Sequence, residues 1–329
     1  MQATTRKPDA VAAAIRSAGR VAVVCHVNPD GDAIGSALAM KHIISALGKE
    51  AVCFCQDAVP QSLYILPGSK DVRKPEEAAD ERFDLLLCVD TADAKRMGAC
   101  QVLAQQADAW VQIDHHGTNP GYAMENDIDP AASATSVLVY EMAERLGVAI
   151  TKEIAMCLYA GMSTDTGNFA FPSTDARTFD IMSKLMQYGL PLGELHRVLF
   201  RQRSRAQAAL LGCALQSLTY HADGRVTTMC ITNDDMQRLN ALPEDADAIV
   251  NFGLDIVGVQ MAAFARELPE GGAKFSLRAV APYAVNEIAR TLGGGGHALA
   301  AGCTVEGPFE AAVAQVRQMM IDTISKEQA

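Results

Sequence analysis

Acidic and imidazole side chains directly follow three apolar segments of the chain. His26, Asp30 and Asp32 come after VAVVC, Asp90 ends DLLLCVD, and Asp114 ends AWVQID and is followed by two histidines. Such apolar runs are typical of strands buried in a parallel sheet. Because the carboxyl ends of parallel strands meet at the edge where α/β proteins bind ligands, these side chains are expected to converge there.

Carboxylates and imidazoles this close together repel or stay half-protonated unless a cation compensates them. Oxygen and imidazole donors without thiolates favour Mn²⁺, Mg²⁺ or a similar ion over structural Zn²⁺. Two such ions about 4 Å apart stabilise both the attacking and the leaving oxygen of a phosphoryl transfer. A single aspartate or histidine is most often a helix cap or a packed residue, but several together predict a metal-dependent hydrolase. The predicted ligands are His26, Asp30, Asp32, Asp90, His115 and Asp165.

A second group of residues has the composition of a substrate site. In the run Gly293–Gly296, which precedes His297, a backbone without side chains could approach a ligand and surround an anion with its N–H groups. The alternative is a flexible turn. Arg278 ends a strand and is either a bidentate phosphate ligand or a surface charge. Ser133 and Thr135 precede a helix, where capping is the alternative to phosphate binding. The predicted substrate-binding residues are Arg278, Gly294, Gly295, Gly296, His297, Ser133 and Thr135.

Composition limits the class of protein. A chain of 329 residues with a net charge of −11 is long enough for two domains and lacks the basic balance of a protein that binds long nucleic acids. No apolar run approaches the ~20 residues of a membrane span. The N-terminus does not read as a leader, so a cytoplasmic location is expected. Nine cysteines, mostly in apolar segments, indicate reduced thiols, and Cys53 and Cys55 fit strand alternation better than a metal pair.

The strand and helix patterns divide the chain into three parts. Positions 21–115 alternate strands with helices near Ala33–Leu47 and Ala94–Gln106, and three helices follow, which predicts a parallel-sheet domain over 1–190. Positions 191–217 are predicted to be a helical linker. Hairpins with turns at Asp223-Gly224 and Pro269–Gly272, then the short helix Val285–Thr291, predict a smaller α/β domain over 218–329. The fold class is therefore α/β, with an active-site cleft expected between the two domains.

The motifs in these positions resemble the DHH phosphoesterase superfamily. The matching segments are HVNPDGD with the following AIGS, CVDTAD around Asp90, DHHGTN from Asp114, TDTGNF around Asp165, and FSLRAV with GGGGHALAAG near the C-terminus, which resembles the DHH-associated domain. The length is similar to that of the nanoRNase/pAp-phosphatase (NrnA-like) branch. In that pattern a Ser is expected at the position of Ala279, which puts one polar contact in doubt.

The resemblance implies a function and residue roles. Members cleave oligoribonucleotides of two to five nucleotides into 5′-mononucleotides and dephosphorylate 3′-phosphoadenosine 5′-phosphate (pAp) to AMP, with two Mn²⁺ ions that Mg²⁺ or Co²⁺ can replace. His26, Asp30 and Asp90 would hold one ion. The second ion would be held by Asp32, Asp90, His115 and Asp165. Catalytic roles would fall to His116 and Asp114, and the C-terminal residues above would bind the far end of the substrate. Short RNA and pAp are the implied partners, a homodimer is expected, and no membrane or long duplex is involved.

Other functions remain open at this point. A manganese-dependent inorganic pyrophosphatase or polyphosphatase resembles the N-terminal half equally well, but its C-terminal lobe has lysine and arginine clusters where this chain has glycines and His297. A phosphodiesterase of linear or cyclic dinucleotides is a further enzyme alternative. A nucleotide-binding regulator without activity is the alternative from another class, and the presence of all six predicted ligands argues against it.

Overall fold

The computed structural model describes residues 6–326 of the chain. These residues form two compact units, one ending at Gln202 and the other beginning at Arg203, a division that falls inside the predicted linker segment. Two short segments lie outside the described residues. They are positions 1–5, where the sequence was searched for a signal peptide, and positions 327–329 of the predicted C-terminal domain. Within residues 6–326, no helix combines the length and apolarity needed to cross a membrane.

The first unit contains a parallel sheet, as predicted. Its strand order is β2-β1-β3-β4-β5, and all four pairings are parallel. The strands are β1 (Arg20–Val24), β2 (Glu50–Phe54), β3 (Phe83–Val89), β4 (Ala107–Asp114) and β5 (Glu125–Ile128). Strand β5 was not predicted, because its sequence ENDI is too short and too polar to form an apolar run. Its buried polar groups are instead paired inside the protein, Asn126 with Gln112 and Asp127 with Arg6.

Helices cover one face of this sheet. Buried leucines of three helices, such as Leu38, Leu138 and Leu158, pack there with the inward side chains of the strands. The helices of this unit are α1 (Pro8–Ser17), α2 (Gly31–Ala46), α3 (Thr135–Leu146), α4 (Lys152–Asp165), α5 (Ala176–Leu185) and α6 (Leu192–His196), and the last is followed by a π-helical turn at Arg197–Arg201. The three helices predicted between 133 and 188 correspond to α3, α4 and α5.

The opposite face is covered by irregular structure with short 3-10 segments. The prediction of an α-helix near Ala94–Gln106 is wrong. The region consists of two 3-10 segments, because Gly98 has φ +57° and ψ −134° and interrupts the helix. Met97, Cys100 and Leu103 from these segments pack against the sheet in place of a helix face.

The second unit is built around a six-stranded mixed sheet. Its strand order is β10-β11-β9-β8-β7-β6, in which only β7 and β8 pair in parallel. The strands are β6 (Thr219–His221), β7 (Val226–Ile231), β8 (Met261–Glu267), β9 (Ala273–Ala279), β10 (Gly295–His297) and β11 (Ala300–Val305). The helices are α7 (Arg205–Gln216), α8 (Asn233–Arg238), α9 (Ile249–Leu254), α10 (Asn286–Thr291) and α11 (Phe309–Lys326). Both predicted hairpins are confirmed as the antiparallel pairs β6–β7 and β8–β9.

The second half of the glycine run lies in a strand and not in a turn. Gly295 and Gly296 belong to β10, which pairs antiparallel with β11. All nine cysteines are free, and most are buried, including Cys53 and Cys55, whose thiols donate to the backbone carbonyls of Ala37 and His26. The seven buried cysteines lie in the apolar interior, which agrees with the prediction of reduced thiols.

Candidate active site

The strand order brings the predicted ligands to one edge of the first sheet. Strands β1 and β3 are neighbours although β2 lies between them in sequence, so the direction of connection reverses there. Ligands of α/β proteins bind beyond the carboxyl ends of strands at such a switch point. His26 lies two residues after the end of β1, and Asp90 directly follows β3. Asp90 is buried in a left-handed backbone conformation (φ +53°), with its N–H bonded to the carbonyl of Ile113 at 3.0 Å.

His26, Asp30 and Asp90 form the first ligand group. Nε2 of His26 lies 3.4 Å from Oδ2 of Asp90 and 3.8 Å from Oδ2 of Asp30. The other ring nitrogen, Nδ1, lies 2.7 Å from the carbonyl oxygen of Val27, which orients the imidazole. Asp30 is the N-cap of α2, because its Oδ1 accepts from the N–H groups of Asp32 and of the next residue. Its second oxygen therefore remains directed at the histidine.

Asp32, His115 and Asp165 form the second group. Nε2 of His115 lies 3.4 Å from Oδ2 of Asp165 and 3.7 Å from Oδ1 of Asp90. Asp165 is the last residue of α4, and Nδ1 of His115 lies 3.2 Å from the carbonyl of Ala132. Asp90 thus presents Oδ2 to the first group and Oδ1 to the second. All six side chains that the sequence predicted as ligands lie in these two adjoining groups.

Asp32 is held by the first turn of α3. Its Oδ2 accepts from the N–H of Thr135 at 2.6 Å, and its Oδ1 accepts from the N–H of Ser136 at 3.0 Å, from the Ser136 hydroxyl and from Ser36. Helix α4 passes so close to this arrangement that a Cβ on Gly161 would overlap with Ser136 and Asp32. The N–H groups at the start of α3 are therefore already occupied. The prediction that they seat a phosphate is not supported.

The cluster carries more buried negative charge than its own histidines neutralise. Burial, reinforced by the charge of Asp90, raises the pKa of Asp32 to about 8, and burial raises that of Asp165 to about 6 even though His115 opposes the shift. Burial disfavours the charged form of His26, but Asp30 and Asp90 outweigh it and raise the pKa of His26 to about 10. Without a metal the site thus retains protons that a cation would displace. Three-residue sets of oxygen and imidazole donors within 4.8 Å of one another fit divalent cations.

Asp114 and His116 form a pair beside the cluster. Nδ1 of His116 lies 2.8 Å from Oδ1 of the fully buried Asp114, and this hydrogen bond raises the pKa of His116. Nδ2 of Asn119 donates to the other oxygen of Asp114 at 2.6 Å. Because Nδ1 of His116 also lies 3.7 Å from Oδ1 of Asp90, a third possible ligand group consists of Asp90, His115 and His116. The geometry thus permits both a proton-transfer role and a ligand role for His116.

Two predicted substrate-binding residues of this unit are buried. Ser133 bonds the hydroxyl of Thr178 at 2.7 Å, and the hydroxyl of Thr135 donates to Oδ1 of Asp90 at 2.9 Å. Ser133 is 2% exposed and Thr135 is 0% exposed. Since both side chains have partners inside the protein and no exposed surface to offer, the structure does not favour direct substrate contact by either.

The predicted substrate residues of the second unit share one row of its sheet. Arg278 of β9 pairs with Ala300 of β11, which in turn pairs with His297 of β10. Directly paired residues point to the same face of a sheet, so Arg278 and His297 flank a single small side chain. Arg278 is half-buried, and burial alone lowers its pKa. No carboxylate among residues 6–326 counteracts this shift, so the cation is suited to an external anion.

The neighbouring glycines differ in what they permit. A Cβ on Gly294 or Gly296 would overlap with the backbone of β11, so both are needed for the close pairing of the hairpin. A Cβ on Gly295 would meet no atom within 4 Å. Gly295 is exposed, so its backbone is open to a ligand.

Sequence reasoning missed the residues that support the ligands. Asn119 lies within the DHHGTN segment, but nothing in its spacing indicates that it bonds Asp114. Asp129 and Arg177 form an ion pair at 2.8 Å that also includes Arg6 and Glu141, and this network surrounds the segment leading into α3. Its partners are far apart in sequence, so no local pattern reveals it.

Comparisons with known proteins agree with these features. Residues 20–162 match the DHH family, N-terminal domain, and residues 226–326 match the DHHA1 domain. The bifunctional oligoribonuclease and PAP phosphatase NrnA of Thermus thermophilus is 35% identical over 88% of this chain and 85% of that protein. A probable enzyme of the same name from Streptococcus mutans is 27% identical over 89% of this chain and 91% of that protein. An exopolyphosphatase-related protein from Bacteroides fragilis has a similar structure, with a TM-score of 0.86, 29% identity and coverage of 96% and 95%.

Proposed function

The chain belongs to the DHH family, and on that premise we propose that it is a two-metal phosphoesterase of short oligoribonucleotides and of pAp. Its products would be 5′-mononucleotides from RNA of two to five nucleotides, and AMP with phosphate from pAp. The observation that carries the proposal is the position of Asp90, whose two oxygens face two separate groups of ligands. The relative that is 35% identical, and is named for both activities, supports the choice of substrates.

The proposed cofactor is a pair of Mn²⁺ ions. His26, Asp30 and Asp90 would hold one ion, and Asp32, Asp90, His115 and Asp165 would hold the other, with Mg²⁺ or Co²⁺ as substitutes. When bound, such ions polarise a phosphate and offset the charge that develops during phosphoryl transfer. Oxygen donors mixed with imidazole suit Mn²⁺, which accepts both kinds of ligand.

His116 is the proposed proton donor to the leaving oxygen. The carboxylate of Asp114 accepts from Nδ1, so the proton available for transfer is the one on Nε2. The hydrogen bond to Asp114 raises the pKa of His116 and so favours the protonated ring. Asn119 donates to Asp114 and would keep the carboxylate in the plane that His116 requires. This arrangement corresponds to general acid catalysis, in which geometry and proton affinity are both set before the substrate arrives.

Arg278 and His297 are proposed to bind the end of the substrate that is not cleaved. A guanidinium can bind a terminal phosphate through two parallel hydrogen bonds, and an imidazole in the same row can bind the same group or a base. The small side chain of Ala300 between them leaves space above the sheet. A homodimer belongs to this proposal through the family resemblance alone, and sedimentation velocity would test it.

The proposal is tested by assaying one preparation with several substrates in parallel. With Mn²⁺, the protein should release phosphate from pAp and mononucleotides from a linear diribonucleotide, and activity should disappear with chelator and return with added metal. Faster turnover of pyrophosphate than of either nucleotide would favour a pyrophosphatase and overturn the proposal. Cleavage of a cyclic dinucleotide alone would favour a signalling phosphodiesterase. Binding of pAp and metal without any product would indicate a regulator.

A further inference from the structure

The segment Asp129–Ser136, which links β5 to α3, contacts three of the six proposed ligands. The carbonyl of Ala132 lies 3.2 Å from Nδ1 of His115. The hydroxyl of Thr135 donates to Asp90, and the N–H groups of Thr135 and Ser136 donate to Asp32. The three ligands come from different elements, since they follow β4, follow β3 and lie in α2. One short segment therefore orients ligands from both proposed ion sites.

Thr135 contacts two of these ligands through two different groups. Its N–H lies 2.6 Å from Oδ2 of Asp32, and its hydroxyl lies 2.9 Å from Oδ1 of Asp90. The side chain is fully buried, and a β-branched side chain has few rotamers available in the first turn of a helix. The positions of the two aspartates are thus coupled through a single residue.

The hydrogen bond from the Thr135 hydroxyl determines which oxygen of Asp90 faces each group of ligands. Oδ2 of Asp90 faces His26 at 3.4 Å, whereas Oδ1 faces His115 at 3.7 Å. Rotation of the carboxylate about its last bond would exchange or misdirect these oxygens. A donor fixed on Oδ1 opposes that rotation. Asp32 is restrained in a similar way, because its Oδ1 accepts three hydrogen bonds. Within residues 6–326, its Oδ2 accepts one hydrogen bond, from Thr135, and keeps a lone pair for another partner.

We propose that Thr135 is a positioning residue that sets the spacing between the two metal ions by fixing Asp90 and Asp32 relative to each other. The proposal rests on the proposed two-metal function and deepens it. The segment is anchored independently of any metal, because Asp129 bonds Arg177 and Arg6, and Ser133 bonds Thr178. Thr135 is therefore in place before an ion binds. Partners that orient metal ligands typically contribute 10–100-fold to metal affinity.

The test is to substitute Thr135 and measure metal binding directly. Thr135→Val keeps the shape and the N–H but removes the hydroxyl, whereas Thr135→Ser keeps both polar groups. Thr227→Val is the matched control, because Thr227 is an equally buried threonine of the second unit whose hydroxyl bonds the carbonyl of Gly253. Mn²⁺ affinity is measured by calorimetry, and the magnetic coupling between paired ions is measured by electron paramagnetic resonance.

The native protein and Thr135→Ser should bind two ions with a coupled spectrum. Thr135→Val should bind at least one ion about 10–100-fold more weakly and lose or change the coupled signal. Thr227→Val should match the native protein. Native affinity and an unchanged coupled spectrum in Thr135→Val would overturn the inference while leaving the phosphoesterase proposal intact. Failure of the native protein to bind Mn²⁺ would instead refute the proposed function.

A loss of folding would be recognised separately. Thermal unfolding of each metal-free variant shows whether it folds cooperatively. If Thr135→Val does not fold, Thr135→Ala carries the same test, because it also removes the hydroxyl and retains the N–H. The same weakening and the same spectral change are expected of Thr135→Ala, and native metal binding in that variant would overturn the inference.

Discussion

The carboxylate of Asp114 lies 2.8 Å from Nδ1 of His116, and the same aspartate is completely buried. A buried carboxylate next to an imidazole stabilises the protonated ring and fixes its orientation. The uncharged amide of Asn119 donates a hydrogen bond to Asp114 and so helps to fix the orientation of the Asp114–His116 pair. The ring of His116 is partly exposed, whereas Asp114 has no exposed surface and Asn119 is bonded on several sides.

Replacing His116 with Asn separates its two possible roles. If His116 donates a proton, kcat should fall about 10²–10⁴-fold, which is the usual size of a general acid contribution, and Mn²⁺ affinity should change little. Single-turnover assays with pAp and calorimetry with Mn²⁺ measure the two effects. A large loss of Mn²⁺ affinity would show instead that His116 is a metal ligand, which its distance to Asp90 permits.

Replacing Asp114 with Asn should change the pH dependence of the reaction. The hydrogen bond to Asp114 raises the pKa of His116, so its removal lowers that pKa. A general acid must be protonated to act, and activity therefore falls as pH rises through its pKa. The alkaline limb of the kcat profile should move to lower pH in Asp114→Asn. An alkaline limb that keeps its position would exclude His116 as the acid.

The metal-free protein should lose stability as pH rises. Asp32, Asp165 and His26 all have a pKa in the folded protein above the ordinary value, at about 8, 6 and 10. Each contributes stability that is fully present below its unfolded pKa and is lost as pH rises through its folded pKa. Melting temperatures of chelator-treated protein should fall between about pH 4 and 10.

Added Mn²⁺ should reverse this loss and raise the melting temperature most at the alkaline end, because the ligands then bind metal without first releasing protons. Asp90→Asn is the matched control. This substitution removes a charge that raises the pKa of both Asp32 and Asp165. The melting temperature of the metal-free variant should therefore change less with pH than that of the native protein. A melting temperature of the native protein that is the same at all these pH values would contradict the description of the site.

Arg278 should affect substrate binding more than turnover. Hydrogen bonds to a charged group contribute about 1.5–3 kcal/mol, so Arg278→Ala should raise KM for pAp about 10–100-fold with kcat nearly unchanged. Arg278→Lys should restore part of the affinity, since it keeps the charge but not the two parallel donors. Steady-state kinetics with pAp measures both variants. An unchanged KM would show that Arg278 does not contact this substrate.

Gly295 tests whether substrate approaches the backbone of β10. Gly295→Ala should fold normally, because its new methyl group meets nothing in the protein, and it should raise KM if the ligand passes over that strand. Gly294→Ala is the contrasting variant, since its methyl group would overlap with the carbonyl of Gly302 and should reduce thermal stability. If KM stays the same in a stable Gly295→Ala protein, the glycine run has only the structural role of closing the hairpin.

The parts of the site that follow strands could be predicted from sequence. Long apolar runs define β1, β3 and β4, and a parallel sheet brings their ends together whatever the details of packing. His26, Asp90 and His115 were therefore found from position alone. Asp165 was predicted at the end of a helix because Gly167, two residues later, allows the backbone to break there.

The supporting residues could not be predicted in this way. The bond between Thr135 and Asp32 joins positions 103 residues apart, and a threonine before a helix has a simpler explanation as a cap. Strand β5 and the 3-10 segments around Gly98 were missed for a related reason, since both are stabilised by tertiary contacts and not by local propensity. Hydrogen bonds between distant segments leave no periodic pattern.

Gly161 shows that the candidate active site limits the size of side chains at positions that bind no ligand themselves. The helix that carries Asp165 passes the start of α3 at a distance that accommodates a hydrogen atom but not a methyl group. Any larger residue at this position would push Asp165 away from Asp32, so the spacing of these two carboxylates depends on a glycine with no chemistry of its own. Sequence drift at position 161 should consequently be as restricted as at the ligands.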